Sequence, residues 1–157
     1  MTIQELNRIC PASMECVDLV WALLCHDIGK AITVTYEDSG RIHYYGHERI
    51  GADMFKALAH RWKFSNTSIK LIFWLIDNHL RVGTTLKMSP VKRHTFMMHP
   101  FFPQLLKIYE ADKRGRVPTS FEGVEKTKKY YQAFQEILKN THFFTGEDVM
   151  KKHPHIS

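Results

Sequence analysis

From Leu23 to Lys30 the chain reads Leu-Leu-Cys-His-Asp-Ile-Gly-Lys, an apolar helix end followed at once by an imidazole, a carboxylate and a glycine. His26 and Asp27 offer a nitrogen and an oxygen ligand, a mixed pair that suits divalent transition metals. Gly29 can end the helix and let both side chains turn towards one ion. The pair also fits an ordinary capped helix, so a metal site requires further ligands elsewhere in the chain.

Apolar residues recur at steps of three and four in most of the chain, which is the period of helices that bury one face. The predicted buried stripes are Met14/Val17/Val20/Leu23/Leu24/Ile28, Ile50/Met54/Phe55/Leu58/Trp62, Ile69/Ile72/Ile76, Leu105/Ile108/Tyr109 and Val124/Tyr131/Phe134/Ile137/Leu138. Ser65 or Asn66 can cap the third of these helices, and Ser89-Pro90 has the polar cap and first-turn proline of a helix start.

Outside the predicted helices, the chain contains residues that are typical of turns and lacks the three- and four-residue spacing of a helix. Thr33–Tyr45 contains Glu-Asp-Ser-Gly between two short alternating stretches and is predicted to be a loop or small hairpin. A last turn of helix is expected at Thr145–Asp148, within a tail at 141–157. The sequence therefore predicts an all-α helical bundle of about six to seven helices in a single domain over residues 1–157.

Composition limits the classes of protein and partner. The hydrophobic share of 44% excludes a wholly disordered chain, and the apolar runs Leu19–Cys25 and Leu71–Ile76 fall far short of the roughly 20 residues that span a bilayer. Cys10, Cys16 and Cys25 form no metal-binding pair and leave an odd thiol, which favours a reducing cytoplasm. The net charge of +6 favours an anionic partner, either nucleic acid or a phosphorylated small molecule.

Three further residues extend the candidate site. His79 shares the apolar face of the third helix, Asp112 shares the face of Leu105 and Ile108, and His47 comes just before the stripe of the second helix. An inward carboxylate is costly without a cation or a hydrogen-bond network. A metal would supply that cation, and a salt bridge from Asp112 to Arg114, Arg116 or another basic group is the alternative.

With these residues the chain resembles the HD superfamily of metal-dependent phosphohydrolases. Leu23–Lys30 is similar to its signature segment, which combines a histidine, a His-Asp pair and a later aspartate. More specifically, Ile42–Ala52, Asn78–Leu80, Glu110–Gly115 and Phe144–Met150 resemble, in order and spacing, the HD region and the following tail segment of bacterial tRNA nucleotidyltransferases and poly(A) polymerase-like proteins. The glycine-serine motif and paired aspartates of their nucleotide-adding head have no counterpart here, so CCA addition by this chain alone is not expected.

The resemblance implies phosphoesterase activity on nucleotides or RNA ends, with nickel, manganese or magnesium as the divalent metal. The implied metal ligands are His26, Asp27 and Asp112, with His47 or His79 as candidates for a further position, because no histidine precedes His26 where the family has its first ligand. A shortened chain and a degenerate site both remain open as reasons for that difference.

The sequence also suggests roles around the metal. Asp27 can hold or deprotonate a water, and Lys30 can anchor a phosphate oxygen or be simply solvated. His43 and Arg49 can add positive charge around the substrate.

Two other functions stay open. A catalytically silent module that binds tRNA through its basic face fits the missing histidine, and Lys56, Lys63 and Lys70 would then follow a phosphate backbone. A signalling phosphodiesterase that acts on a nucleotide second messenger is compatible with the His-Asp pair and less so with the segments around His47 and Asp112.

Overall fold

The computed structural model describes residues 14–115 and 120–140 of the chain. In this part seven α-helices occur: α1 Met14–Cys25, α2 Lys30–Thr33, α3 His47–Arg61, α4 Asn66–Asn78, α5 Pro90–Met97, α6 Phe102–Arg114 and α7 Glu122–Asn140. A 3-10 helix at Arg81–Lys87 joins α4 to α5. The predicted all-α class is confirmed. None of the helices in the described ranges is both long and apolar enough to cross a membrane.

The predicted hairpin is present as two short antiparallel strands. β1 (Thr35–Tyr36) pairs with β2 (Ile42–His43), so that Thr35 lies opposite His43 and Tyr36 opposite Ile42. The turn uses Gly40 at a φ of +78°, a left-handed conformation that glycine adopts without steric cost. This hairpin connects the His-Asp turn to α3.

The core lies between α4 and its neighbours. α4 packs against α1 and α3, and α1 also packs against α6. The most deeply buried large side chains come from these elements and from the 3-10 helix, α5 and α7: Leu19, Phe55, Ile72, Leu75, Ile76, Val82, Met97, Phe102, Leu105 and Val124. The predicted stripes of α4 and α6 are confirmed, since Ile69, Ile72 and Ile76 and the residues Leu105, Ile108 and Tyr109 are all buried. Burial of α4 on several sides fixes the position of its C-terminal end.

The buried face of α1 differs from the predicted one. Leu24 is 70% exposed and Val17 48% exposed, contrary to prediction, whereas Leu23 is buried as predicted and Leu19, which is not in the predicted stripe, is buried as well. The helix is apolar on almost every side, so several stripes at the same three- and four-residue spacing compete. Contacts with α4 and α6 determine which of these faces is buried, and the periodicity of the sequence cannot identify it.

The stripes of α3 and α7 need smaller corrections. In α3, Phe55 is buried as predicted, but Ile50 and Trp62 are largely exposed, and small residues such as Ala52 and Ala59 form the contact face instead. Small side chains let α3 approach α4 closely. A search for large apolar residues does not identify such a contact face. In α7, Ile137 is 63% exposed, contrary to prediction, although Val124 and Phe134 are buried.

The predicted helix boundaries hold with one exception. α4 begins after Ser65, whose hydroxyl accepts a hydrogen bond of 3.0 Å from the Ser68 backbone N–H, and α5 begins at Pro90 as expected. α1, however, ends at Cys25 and not at Gly29. The predicted turn at Thr145–Asp148 and the rest of the tail at 141–157 lie outside the described residues.

Candidate metal centre

Gly29 brings the His-Asp turn into direct contact with α3. A methyl group added at Gly29 would lie 2.1 Å from the His47 carbonyl oxygen and 2.7 Å from the Gly51 N–H nitrogen, so only glycine fits there. The turn itself is held by hydrogen bonds from the Ile28 N–H to the Cys25 carbonyl and from the Lys30 N–H to that of Asp27. Close backbone packing therefore sets where Asp27 meets His47.

Helix ends position the other candidate ligands. Gly46, at a φ of +74°, precedes α3 and makes His47 its first residue, while His79 caps the C-terminal end of α4. Asp112 lies near the C-terminal end of α6. The ends of four helices, α1, α3, α4 and α6, thus meet at one place, which sequence order alone does not reveal.

Asp27 lies at the centre of this meeting point. Its Oδ1 is 3.2 Å from His47 Nε2 and 3.7 Å from His79 Nε2, and the two histidine nitrogens are 3.3 Å apart. Its Oδ2 is 3.3 Å from His26 Nε2 and 2.6 Å from Lys30 Nζ. The two carboxylate oxygens therefore face different partners, a histidine pair on one side and Lys30 with His26 on the other.

Backbone carbonyls fix the protonation of all three histidines at Nδ1. His26 Nδ1 is 2.6 Å from the Leu23 carbonyl, and the same bond to the carbonyl three residues earlier is 2.7 Å long in His47 and in His79. A carbonyl oxygen only accepts, so each Nδ1 must carry the hydrogen and donate it. In the neutral rings each Nε2 is then a bare acceptor, the arrangement seen when a second hydrogen bond orients a metal-binding histidine.

A divalent ion fits the space among these acceptors. Two Nε2 lone pairs and a carboxylate oxygen converge, and their mutual repulsion calls for a cation between them. A first-row ion bound at about 2.1 Å places neighbouring ligands about 3.0 Å apart at right angles and about 3.4 Å apart at tetrahedral angles. Two of the three separations, 3.2 and 3.3 Å, lie within that range, and the third, 3.7 Å between His79 Nε2 and Asp27 Oδ1, is slightly longer. Asp27, His47 and His79 together form the group in the described residues that could hold a metal.

His26 and Asp112 adjoin this group. His26 Nε2 is buried and has no well-aligned hydrogen bond, although Asp112 Oδ1 is only 3.6 Å away. Burial lowers the pKa of His26, but the nearby Asp112 carboxylate, the hydrogen bond to the Leu23 carbonyl and the charge of Asp27 outweigh it, so the net pKa is raised. Asp112 Oδ1 thus faces His26, and Arg114, one of the basic groups predicted as a partner of Asp112, pairs with Glu110. Arg116, another of these groups, lies outside the described residues.

The remaining pKa shifts keep the acceptor set in its metal-binding form. Burial raises the pKa of Asp27, but the hydrogen bond from Lys30, together with the positive charges of His26 and Lys30, outweighs it, and the pKa is lowered. Burial, with the neighbouring His26 and His47, lowers the pKa of His79. An ionised Asp27 beside a neutral His79 is the state that metal binding requires.

The predicted substrate-binding residues are more dispersed. Lys30 contacts Asp27 directly and lies 5.5 Å from the centre of the Tyr44 ring. His43 lies on β2, with its Nε2 2.8 Å from Glu37 Oε1 across the hairpin. Arg49 lies on the outer side of α3 and α4, where its guanidinium is 3.5 Å from a carboxylate oxygen of Asp77. Lys30 alone of these three has a direct contact with the candidate ligands.

Two features of the site went unrecognised in the sequence. The carbonyls of Leu23, Tyr44 and Ile76, which orient the histidines, carry no sequence signal, because any residue supplies a carbonyl. Gly51 faces Gly29, with only 3.1 Å between an added methyl group and the Gly29 nitrogen. A glycine inside a helix is the signal that would have indicated this close approach.

Comparisons with known proteins give a family and several relatives for this chain. The HD domain family matches residues 4–113. The A-adding tRNA nucleotidyltransferase of Deinococcus radiodurans is 31% identical over 106 residues, which cover 66% of this chain and 24% of the relative. The CC-adding tRNA nucleotidyltransferase of Thermus thermophilus is 24% identical over 131 residues, or 82% and 30% of the two chains.

A third relative, the multifunctional CCA protein of Actinobacillus pleuropneumoniae, is 31% identical over 126 residues, covering 74% of this chain and 29% of that protein. The chain therefore spans less than a third of the length of these relatives. No solved structure gave a significant match. The family match extends over most of the chain and includes the His-Asp turn and the three other elements that converge on Asp27. The chain therefore belongs to the HD domain family.

Proposed function

We propose that this chain is a metal-dependent phosphohydrolase of the HD type that acts on phosphoesters of nucleotides or RNA ends. One observation carries the proposal. Three histidines each use Nδ1–H on a backbone carbonyl and turn Nε2 towards Asp27. A purely structural histidine has no need for this shared orientation, whereas a metal ligand does.

Asp27, His47 and His79 would hold the ion, with His26 and Asp112 beside them. A divalent ion bound there supplies polarisation of a phosphoryl oxygen and a lowered pKa for a water, with nickel, manganese and magnesium as candidates. Asp27 keeps its charge because Lys30 neutralises the oxygen that faces away from the histidine pair. His26, held between Asp27 and Asp112, is placed to accept or return a proton at Nε2.

Lys30 provides the phosphate contact in this proposal. Its side chain is 35% exposed and its ammonium group already lies 2.6 Å from Asp27, so it can donate a second hydrogen bond to a phosphate oxygen at the same site. His43 and Arg49 would act through the charge of the surrounding surface, since neither contacts the ligand group. The net charge of +6 attracts anionic substrates in general.

The substrate class follows from the relatives. Two of those named above are A-adding and CC-adding tRNA nucleotidyltransferases, so a nucleotide or an RNA end, including a 2′,3′-cyclic phosphate, is the first substrate to test. The metal centre is the part of the chain that this proposal uses, and it lies within the region matched to the HD family.

The test begins with metal content. Purified protein is exposed to nickel, manganese or magnesium, freed of loosely bound ions and subjected to elemental analysis, together with Asp27→Ala and the control His60→Ala, which changes a histidine at the exposed C-terminal end of α3. We expect near-stoichiometric metal in the parent and the control and none in Asp27→Ala. Hydrolysis of 2′,3′-cyclic nucleotides should follow the same pattern.

Two results would contradict the proposal. Equal metal content in the parent and Asp27→Ala would show that the ion binds elsewhere. Metal-stimulated hydrolysis that survives in both Asp27→Ala and Asp112→Ala, with helical content unchanged, would remove the site from the reaction.

A catalytically silent tRNA-binding module is the second candidate, and the names of the relatives together with the basic surface favour it. Lys56, Lys63 and Lys70 are exposed, as that function requires. Absence of metal in the parent combined with salt-dependent tRNA binding would select this candidate. Affinity for tRNA that does not change with salt would count against it.

A further inference from the structure

Two grooves on the outer side of α4 share one aromatic residue, Trp74. The first has a volume of about 320 Å³ and runs along α5, with Arg81, Lys92, Phe96 and His99 among its lining residues. The second has a volume of about 310 Å³ and is lined by Lys56, Ile69, Lys70, Phe73 and Phe101. The two grooves together are here named the Trp74 surface. It is separate from the metal centre, because none of its lining residues is a candidate ligand.

The Trp74 surface is positively charged. Its lining includes Lys56, Lys70, Arg81 and Lys92 and no carboxylate. Within the described ranges, Lys70 and Lys92 form no ion pair, so their charge is available to a partner. Each groove thus contributes two cations, one pair on either side of Trp74. A polyanion that crosses the surface would meet both pairs.

Between these cations lies a set of aromatic rings. Trp74 is stacked on His99, with ring centres 3.9 Å apart and planes inclined by 6°, and the Phe101 ring meets Trp74 edge-on at 6.1 Å. Arg81 lies over Phe96, with its guanidinium carbon 4.4 Å from the ring centre. The stacked pair presents a flat, partly exposed platform of the kind on which bases stack.

Aromatic platforms flanked by cations are the features by which proteins bind single-stranded nucleic acid. Rings recessed in grooves reach only bases that are unstacked, and in a duplex the bases are already stacked on each other. An acidic protein segment would use the cations but would leave the flat rings without matching partners. Charge and ring arrangement together favour a single strand.

We propose that the Trp74 surface binds single-stranded RNA, with bases stacked in the grooves around Trp74 and phosphates held by Lys56, Lys70, Arg81 and Lys92. This inference does not rest on the hydrolysis proposed above, since binding requires neither the metal nor Asp27. Arg49 connects the two regions: it lies two residues after His47, and its guanidinium carbon is 5.1 Å from the centre of the Phe73 ring. A strand on this surface would therefore reach the helix that carries His47.

The test measures binding of a fluorescein-labelled oligo(U) RNA of about 12 nucleotides by anisotropy, in EDTA so that no metal takes part. The double variant Lys70→Gln/Lys92→Gln removes two exposed charges without altering the core. Each phosphate contact contributes about 0.7 to the slope of log affinity against log salt for single strands, so the slope should fall by about 1.4. At about 0.1 M salt this corresponds to roughly 25-fold weaker binding. Lys139→Gln, at the far end of α7 and outside both grooves, is the matched control.

Stacking is tested at Trp74 itself. Trp74→Leu should weaken binding roughly tenfold, and Trp74→Phe should retain most of the affinity because the ring is preserved. The circular dichroism of both variants shows whether the helices are intact, and the lysine variant keeps the inference testable if Trp74→Leu fails to fold. Asp27→Ala should bind oligo(U) like the parent, which separates this result from that of the metal assay.

Several outcomes would overturn the inference. The parent would not bind oligo(U) at low salt, or Lys139→Gln would lose as much affinity for oligo(U) as the groove variants. Groove variants that bind oligo(U) as tightly as the parent would have the same meaning. Tighter binding of an RNA duplex than of oligo(U) would also overturn it.

Discussion

Replacement of Gly29 by alanine should loosen both the fold and the metal centre. Gly29 has φ −64° and ψ −20°, a helical conformation in which alanine is normally favoured by about 0.5–1 kcal/mol. The added methyl group would, however, lie 2.1 Å from the His47 carbonyl oxygen and 2.7 Å from the Gly51 nitrogen. Both are backbone atoms and cannot rotate away, so α3 must move as a whole.

The magnitude follows from the competition between these two terms. Overpacking typically costs about 1–3 kcal/mol, and a backbone overlap of this size belongs at the upper end. After subtraction of the helical preference of alanine, a net loss of about 2 kcal/mol in the free energy of unfolding remains. For a chain of this length the midpoint of thermal unfolding should fall by roughly 4–8 °C. Because Asp27 and His47 are carried by the two elements that separate, metal affinity should fall as well.

The assay combines thermal unfolding followed by circular dichroism with calorimetric titration of Mn²⁺. Gly83→Ala is the matched control, since its added methyl group would lie 3.5 Å from the Tyr109 ring, an ordinary contact. A Gly29→Ala variant that is as stable as Gly83→Ala and binds Mn²⁺ with the affinity of the parent would contradict this prediction. That result would mean that the turn and α3 need not touch.

Three further predictions concern capping, pH and metal. Ser65→Ala removes the hydroxyl that accepts from the first turn of α4, so the unfolding free energy should fall by about 1 kcal/mol in denaturant titrations, and an unchanged midpoint would exclude the cap. Burial raises the pKa of Glu110, but two neighbouring cations outweigh burial and lower the pKa below its ordinary value of 4.5. The ionised carboxylate therefore stabilises the fold above pH 4.5, and this stabilisation is lost as the pH falls through the pKa of the folded state. Glu110→Gln should therefore lower the free energy of unfolding by about 2 kcal/mol at neutral pH and by progressively less below pH 4.5. Urea titrations of the parent and the variant at each pH measure this difference, and a difference that does not change with pH would refute the prediction. Mn²⁺ at about 100 times its dissociation constant should raise the unfolding free energy by about 2.7 kcal/mol in the parent, and Asp27→Ala should show no such increase.

The sequence by itself determined the helical class, most helix boundaries and the residue types of the site. Its period of three and four residues identified α3, α4, α6 and α7, and capping signals located the starts of α4 and α5. These features are local, since hydrogen bonding and capping within a helix depend on near neighbours in the chain. The segment from Leu23 to Lys30 supplied His26 and Asp27, and the inward placement of His79 followed from its helix face.

Tertiary structure decided which helix faces are buried and which candidate residues meet. Leu24 and Val17 share the period of a buried stripe yet lie exposed, because packing against α4 and α6 selects one of several apolar faces of α1. His47 approaches Asp27 because Gly29 permits a backbone contact between segments that are distant along the chain. Arg49, only two residues after His47, points instead to the outer surface beside Phe73. Such contacts depend on the relative positions of whole helices, and a local pattern of residues carries no information about them.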